Sequence, residues 1–77
     1  MFKLLETVAL THDIRESGLR RGDLGAIVEL FGPDNLEIEF VAASGRTQAV
    51  LTLSSTDVRH VGDQDLLAVR SLASADG

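Results

Sequence analysis

The stretch "LRRGDLGAIVELF", residues 19–31, decides how the rest of this chain is read. It opens on two arginines, sets Gly22 and Gly25 three apart around Asp23, and runs directly into an apolar segment. Backbone amides in a glycine-rich turn cradle an anion best where a helix follows and adds its dipole. Here "GAIVELF" is continuous and β-rich, so the turn leads into a strand and has no such dipole to help it. The glycines then serve turn geometry and close backbone approach, with Arg20 and Arg21 solvated.

Working outward, "GPDN" places Pro33 where a turn wants φ near −65°, and Asp34 and Asn35 tolerate the remaining geometry. "LEIEFV", residues 36–41, then alternates cleanly, with Leu36, Ile38 and Phe40 on one face and Glu37 and Glu39 on the other. "ASGRT" is the next turn, with Gly45 available for positive φ, and "QAVLTL" puts Ala49, Leu51 and Leu53 inward. These segments make a three-strand antiparallel meander. "SSTD", residues 54–57, supplies hydroxyls and a carboxylate for local backbone donors and suits one 3₁₀ turn before a short closing strand, "VRHV".

Upstream, "ETVAL", residues 6–10, reads as a first strand with Val8 and Leu10 on one face. Residues 11–24 are polar, hold two glycines and keep no apolar period, which predicts a long connecting loop. From Gly62 onward two conformations fit: a short helix started by Asp63 or Asp65, or an extended arm, since "LAVRSL" also alternates. The expected organisation is a barrel over residues 1–61 and an arm over 62–77, frayed at "ASADG".

Five short antiparallel strands, one long loop, two tight turns and a 3₁₀ turn are the ingredients of a small all-β, SH3-like barrel. At 77 residues it is one domain at most, and its core must be small and aliphatic, because aromatic residues are only 4% of the chain. Without cysteine, neither disulfides nor a thiolate zinc site can staple the fold. Stability must come from strand pairing, apolar burial or a partner subunit. A net charge of −5 runs against a protein that grips a phosphate backbone, since each neutralised phosphate requires a cation. Neither a signal segment nor a membrane span is expected, and the cytoplasm is the expected location.

The turn Gly22, Asp23, Leu24, Gly25, Ala26, Ile27 resembles the Gly-x-x-Gly-x-Val pattern that opens barrels of the KOW type in translation and transcription proteins. A longer resemblance covers residues 4–61. "LLETVALTHDI", "GLRRGDLGAIVELF", "LEIEFVAASGRTQAVLTL" and "DVRHV" follow, in order, the segments of a family of small bacterial proteins called domain of unknown function 4926, with Ile27 where the family usually has Val. The resemblance implies this fold, no assigned activity, and proteins that act beside a partner in an accessory, regulatory or immunity/antitoxin-like role.

His12, Asp13, His60 and Asp63 are the residue types of a metal or acid–base site, and pairing of the first and last strands would bring the histidines closer. No short ligand spacing or nucleophile setting accompanies them, and Asp63 and Asp65 match a calcium loop for only three residues. Neither an enzyme nor a cofactor is expected. In "AIVELF", strict alternation turns Ala26, Val28 and Leu30 inward and Ile27, Glu29 and Phe31 outward. With Leu67 and Val69 of the arm these form the expected partner surface, for another protein or a second copy of the chain. Glu29, Glu37 and Glu39 share an outer face that repels itself unless basic groups approach. The alternative is a nucleic-acid-binding KOW-like barrel acting through Arg20, Arg21 and Arg46.

Overall fold

Leu36, Ile38 and Phe40 alternate with glutamates, and they form the centre of the core as that pattern requires. In a computed structural model that describes residues 1–72, the strands are β1 (Thr7–Leu10), β2 (Leu24–Phe31), β3 (Asn35–Val41), β4 (Thr47–Ser54) and β5 (Val58–His60). They form one antiparallel sheet in the order β4-β3-β2-β1-β5, so β1 lies between β2 and β5 as in an SH3-like barrel. The fold is all-β, as expected from the sequence. Val8, Leu10, Leu19, Ile27 and Val58 complete the buried cluster, with Phe2, Ile14, Ala49, Leu51 and Leu53 packed partly against it.

The long first connection has more order than its composition suggests. Ile14 and Leu19 exchange backbone bonds of 2.9 and 3.0 Å around a 3₁₀ turn, Arg15–Ser17, and Leu19 is thereby delivered into the core. At the end of this connection the two glycines of the opening stretch divide the work. Gly22 takes φ +91°, a left-handed conformation. Gly25 lies in β2 where a Cβ would come within 2.5 Å of Ile38 Cγ2 and 2.8 Å of Phe40 Cε1.

Strand β2 corrects one expectation. Ile27 does not face outward: it is 0% exposed and pairs with Ile38. A bulge between Ile27 and Glu29 leaves Val28 without a cross-strand partner. The extra residue reverses the parity of alternation, so Gly25 and Ile27 face the core before it, and after it Leu30 stands opposite the buried Leu36 while remaining partly exposed itself. Ile27 therefore leaves the set of candidate partner-binding residues. Phe31, beyond the bulge, does face outward and is 48% exposed.

The 3₁₀ turn before β5, Ser55–Asp57, is closed by a capping box: Ser54 Oγ accepts from Thr56 N–H at 3.2 Å, and Asp57 Oδ2 accepts from Ser54 N–H at 2.8 Å. After β5 the chain turns at Gly62–Asp65, and residues 66–72 have neither helix nor strand. Of the two conformations open to this segment, the helix is absent over residues 62–72. The expected fraying at residues 73–77 lies outside the described residues.

Candidate functional site

The arm crosses the end of the barrel where the first connection meets the β3–β4 turn. There Leu19, Asp23 and Leu24 face Val41, Ala42 and Arg46 across an open groove floored by Phe40, and residues 68–72 run along it. Arg70 anchors the arm. Its Nε donates to Asp23 Oδ1 at 2.8 Å, and its Nη2 donates to Asp23 Oδ2 at 2.5 Å and to the Gly18 carbonyl at 2.9 Å. This is the two-pronged geometry in which a guanidinium fits a carboxylate. Burial pushes the Asp23 carboxyl up, but the Arg70 guanidinium and the Arg20 amide outweigh it and hold the group below its ordinary range.

Asp23 is positioned without help from the arm. Its Oδ2 accepts from the Arg20 N–H at 2.8 Å, its own N–H donates to the Arg20 carbonyl at 2.9 Å, and its carbonyl accepts from Leu10 N–H at 2.9 Å. The turn that the sequence offers as an anion grip thus presents a carboxylate, and it takes a cation. Arg20 and Arg21 are anchored through their backbone amides, Arg21 N–H donating to Asp13 Oδ1 at 2.8 Å, while both side chains are exposed. Arg46 stands across the groove and reaches Gln48 at 3.4 Å.

Leu67 and Val69 stand on this arm, 70% and 99% exposed. Phe31 is not beside them. Leu24, at the start of β2, lines the groove, and Phe31 ends the same strand seven residues on, on the order of 20 Å away by strand rise. The expected single surface is therefore two. The second carries Glu29 directly opposite Glu37, with Glu39 opposite Ala26 and accepting from Thr47 Oγ1 at 2.6 Å. The three glutamates do share the outer face of β2 and β3.

The histidines do not meet, although β1 and β5 pair. The antiparallel register sets His60 opposite Val8, and each ring takes its own carboxylate. His60 Nδ1 bonds Glu6 Oε2, and its ring stacks on Phe2 with centroids 4.1 Å apart. Burial pushes the Glu6 carboxyl up, but the bonds from His60 and the Lys3 amide bring it below its ordinary value. His12 Nε2 bonds Asp57 Oδ1 at 2.8 Å while its Nδ1 meets the Asp13 carbonyl at 2.9 Å. Asp63 joins neither pair, whereas Asp65 accepts both prongs of Arg59, at 3.0 and 3.3 Å, and pins the start of the arm. Among the described residues no group of three or more His, Cys, Asp or Glu side chains is placed to hold a metal ion.

Asp23 and Arg70 were not singled out as partners by the sequence. Asp23 reads there as a turn residue, and an arginine in an arm of undecided conformation has no local signal to mark what it meets.

The family model described as Domain of unknown function (DUF4926) matches residues 4–60, from the segment before β1 through the end of β5. No curated protein and no solved structure matches the chain. The arm and its Arg70 lie beyond the matched residues, whereas Asp23 and Gly18 lie within them.

Proposed function

The chain belongs to the DUF4926 family, and from that premise we propose that it is a non-enzymatic protein-binding module, an accessory or regulatory small protein that acts through a partner or a second copy. One observation carries this reading. Leu66, Leu67 and Val69 are 95, 70 and 99% exposed, yet the segment on which they stand is held to the barrel by Arg70. Aliphatic side chains gain nothing by facing water, and a small monomer rarely keeps a run of them fixed at its surface unless something covers them. The partner surface of this reading is the arm, with Leu67 and Val69 at its centre. The face with Phe31, Glu29 and Glu37 is a separate surface.

Support for a KOW-like nucleic-acid-binding barrel is weaker, because the three arginines on which it depends are set in a chain of net charge −5. That alternative predicts an RNA mobility shift that fades with salt.

The test is affinity capture from native cell extract with the intact chain, paired with light scattering on the purified protein. Leu67→Asp should abolish the association found by either method while circular dichroism stays unchanged, and Phe31→Asp should leave it in place. Association unaltered by Leu67→Asp rejects the arm as the partner surface.

A further inference from the structure

We propose that β4 is a self-pairing edge, through which two copies of the chain join strand against strand, antiparallel, about a two-fold axis at Leu51. This surface is separate from the arm.

β4 ends the sheet, and no strand lies on its other side among the described residues. The backbone bonds show which of its groups are left over. Ser55 N–H donates to the Asp34 carbonyl at 2.8 Å, towards β3, whereas Ser54 N–H turns the other way and donates to Asp57 Oδ2 at 2.8 Å. Amides alternate in direction along an antiparallel strand, so those of Leu53 and Leu51 point to β3 and those of Thr52 and Val50 point to the open edge. Asp57 occupies the edge at Ser54, and the register shift between Phe40 and Val41 breaks the pattern near Gln48. Val50 and Thr52 each keep an N–H and a C=O that nothing among the described residues meets. With the axis at Leu51, Val50 of each copy stands opposite Thr52 of the other, and every one of these groups finds its counterpart.

Edges of this kind are normally guarded by charge, proline, short length or a covering segment. β5, at the opposite end of the sheet, is short and carries Arg59. β4 spans Thr47–Ser54 with neither a charge nor a proline, and positions 47–56 are the longest uncharged run in the chain. Two copies of net charge −5 repel one another over most of their surfaces. Along this run they meet without opposing like charges, and a two-fold axis closes the assembly at two chains.

The core is also thinnest at this edge. Leu36, Ile38 and Phe40 of β3 are buried, while Leu53, Leu51 and Ala49, opposite them on β4, are only partly so. The same axis brings the two Leu51 side chains together on the core face and sets Ala49 of each copy against Leu53 of the other. Pairing thus covers apolar surface that a single barrel leaves wet.

A few backbone bonds and one leucine contact give a weak dimer, with a Kd on the order of 10⁻⁴ M. It forms in concentrated solution and is absent from cell extract and from light scattering at micromolar concentration, where the arm is tested.

The experiment is sedimentation equilibrium from about 10 μM to about 1 mM on the Leu67→Asp chain, whose arm surface is disabled. Its average mass should climb from one chain towards two, and exchange of the Val50 amide should slow about four-fold over the same range. Thr52→Pro, added to this chain, removes an N–H that points to the edge and none that β3 uses. Val50→Lys instead places a charge on the exposed outer face beside it. Each should hold the mass at one chain throughout with circular dichroism unchanged, and Val50→Lys carries the test if the proline variant does not fold. A single-chain mass at the highest concentration in Leu67→Asp, or a dimer that both added substitutions leave intact, overturns the proposal. A chain that stays single while Thr52→Pro alone reduces capture from extract assigns the edge to another protein's strand and overturns the second-copy assignment. Capture that survives Leu67→Asp counts against the arm surface, while the concentration-dependent dimer of that same chain upholds the edge.

Discussion

Arg70 closes on Asp23 across 47 positions of chain, with Nε to Oδ1 at 2.8 Å and Nη2 to Oδ2 at 2.5 Å. The pair ties the arm to the turn that opens β2, and it settles what that turn presents. "LRRGD" carries two arginines, but the group it directs at the arm is the Asp23 carboxylate. Its charged contact within the chain is with a cation, the Arg70 guanidinium.

The close approach at Gly25 gives the most direct test of the barrel's packing. A methyl group there meets Ile38 and Phe40, both buried, so neither can move aside without displacing the core. Gly25→Ala should cost about 1–3 kcal/mol by overpacking. Urea unfolding checks this, and a midpoint equal to the wild type's contradicts the observed β2–β3 contact.

Stability should fall as pH rises through neutrality, because of His12. Its ring faces the Asp57 carboxylate with one nitrogen and the Asp13 carbonyl with the other, so both nitrogens must donate, as only the imidazolium can. The Asp57 bond first, and then that to Asp13, raise the group above 6.5. A raised folded value means the contribution is complete below about 6.5 and lost as pH rises through the higher folded value. Asp57, lowered from 3.8 chiefly by the His12 bond, contributes above that value and loses its contribution as pH falls through the depressed one. Urea midpoints from pH 5.5 to 8.5 should decline in the wild type and flatten in His12→Asn. The same slope in both proteins would remove the pair from the account.

These cases mark what the residues disclose along the chain and what they do not. Glutamates at 37 and 39 between apolar residues declare the pleat of β3, and "SSTD" declares its turn, because each signal lies within a few neighbouring residues. In "AIVELF" every residue but one is apolar, so nothing marks the bulge at Val28, and parity counted back across it from Phe31 misplaces Ile27. The partners of His12, His60 and Asp23 stand 45, 54 and 47 positions away and are set by the closing of β5 on β1 and the course of the arm. The residue types for a site are visible in the sequence, but their pairing is decided by topology.

Leu5 has a positive φ, +69°, while its side chain is 79% exposed. Its N–H donates to the Ile27 carbonyl at 2.7 Å, so backbone pairing imposes the conformation and side-chain packing returns little for it. The left-handed region costs an ordinary residue about 1–2 kcal/mol. Leu5→Asn should therefore raise stability by about 0.5–1 kcal/mol, since asparagine tolerates this region, and the β-branched Leu5→Val should lower it. Thermal midpoints of the two variants check this, and the reverse order contradicts it.

Glu29 and Glu37, directly opposite on β2 and β3, are an unfavourable cross-strand pair. Glu37→Lys turns repulsion into attraction and should stabilise the domain by about 0.2–1 kcal/mol. The gain should shrink in molar salt. A gain that persists unchanged in salt would assign it to packing instead.

The account depends on the Arg70–Asp23 ion pair fixing residues 66–70 against the barrel, and backbone ¹⁵N relaxation measures this directly. In the wild type, order parameters at residues 66–70 should approach the rigid-backbone level of about 0.85, and in Asp23→Asn they should drop below about 0.6 with the strands unchanged. Values already below about 0.6 in the wild type, or an arm equally ordered in Asp23→Asn, would contradict the claim that Asp23 and Arg70 fix it in place.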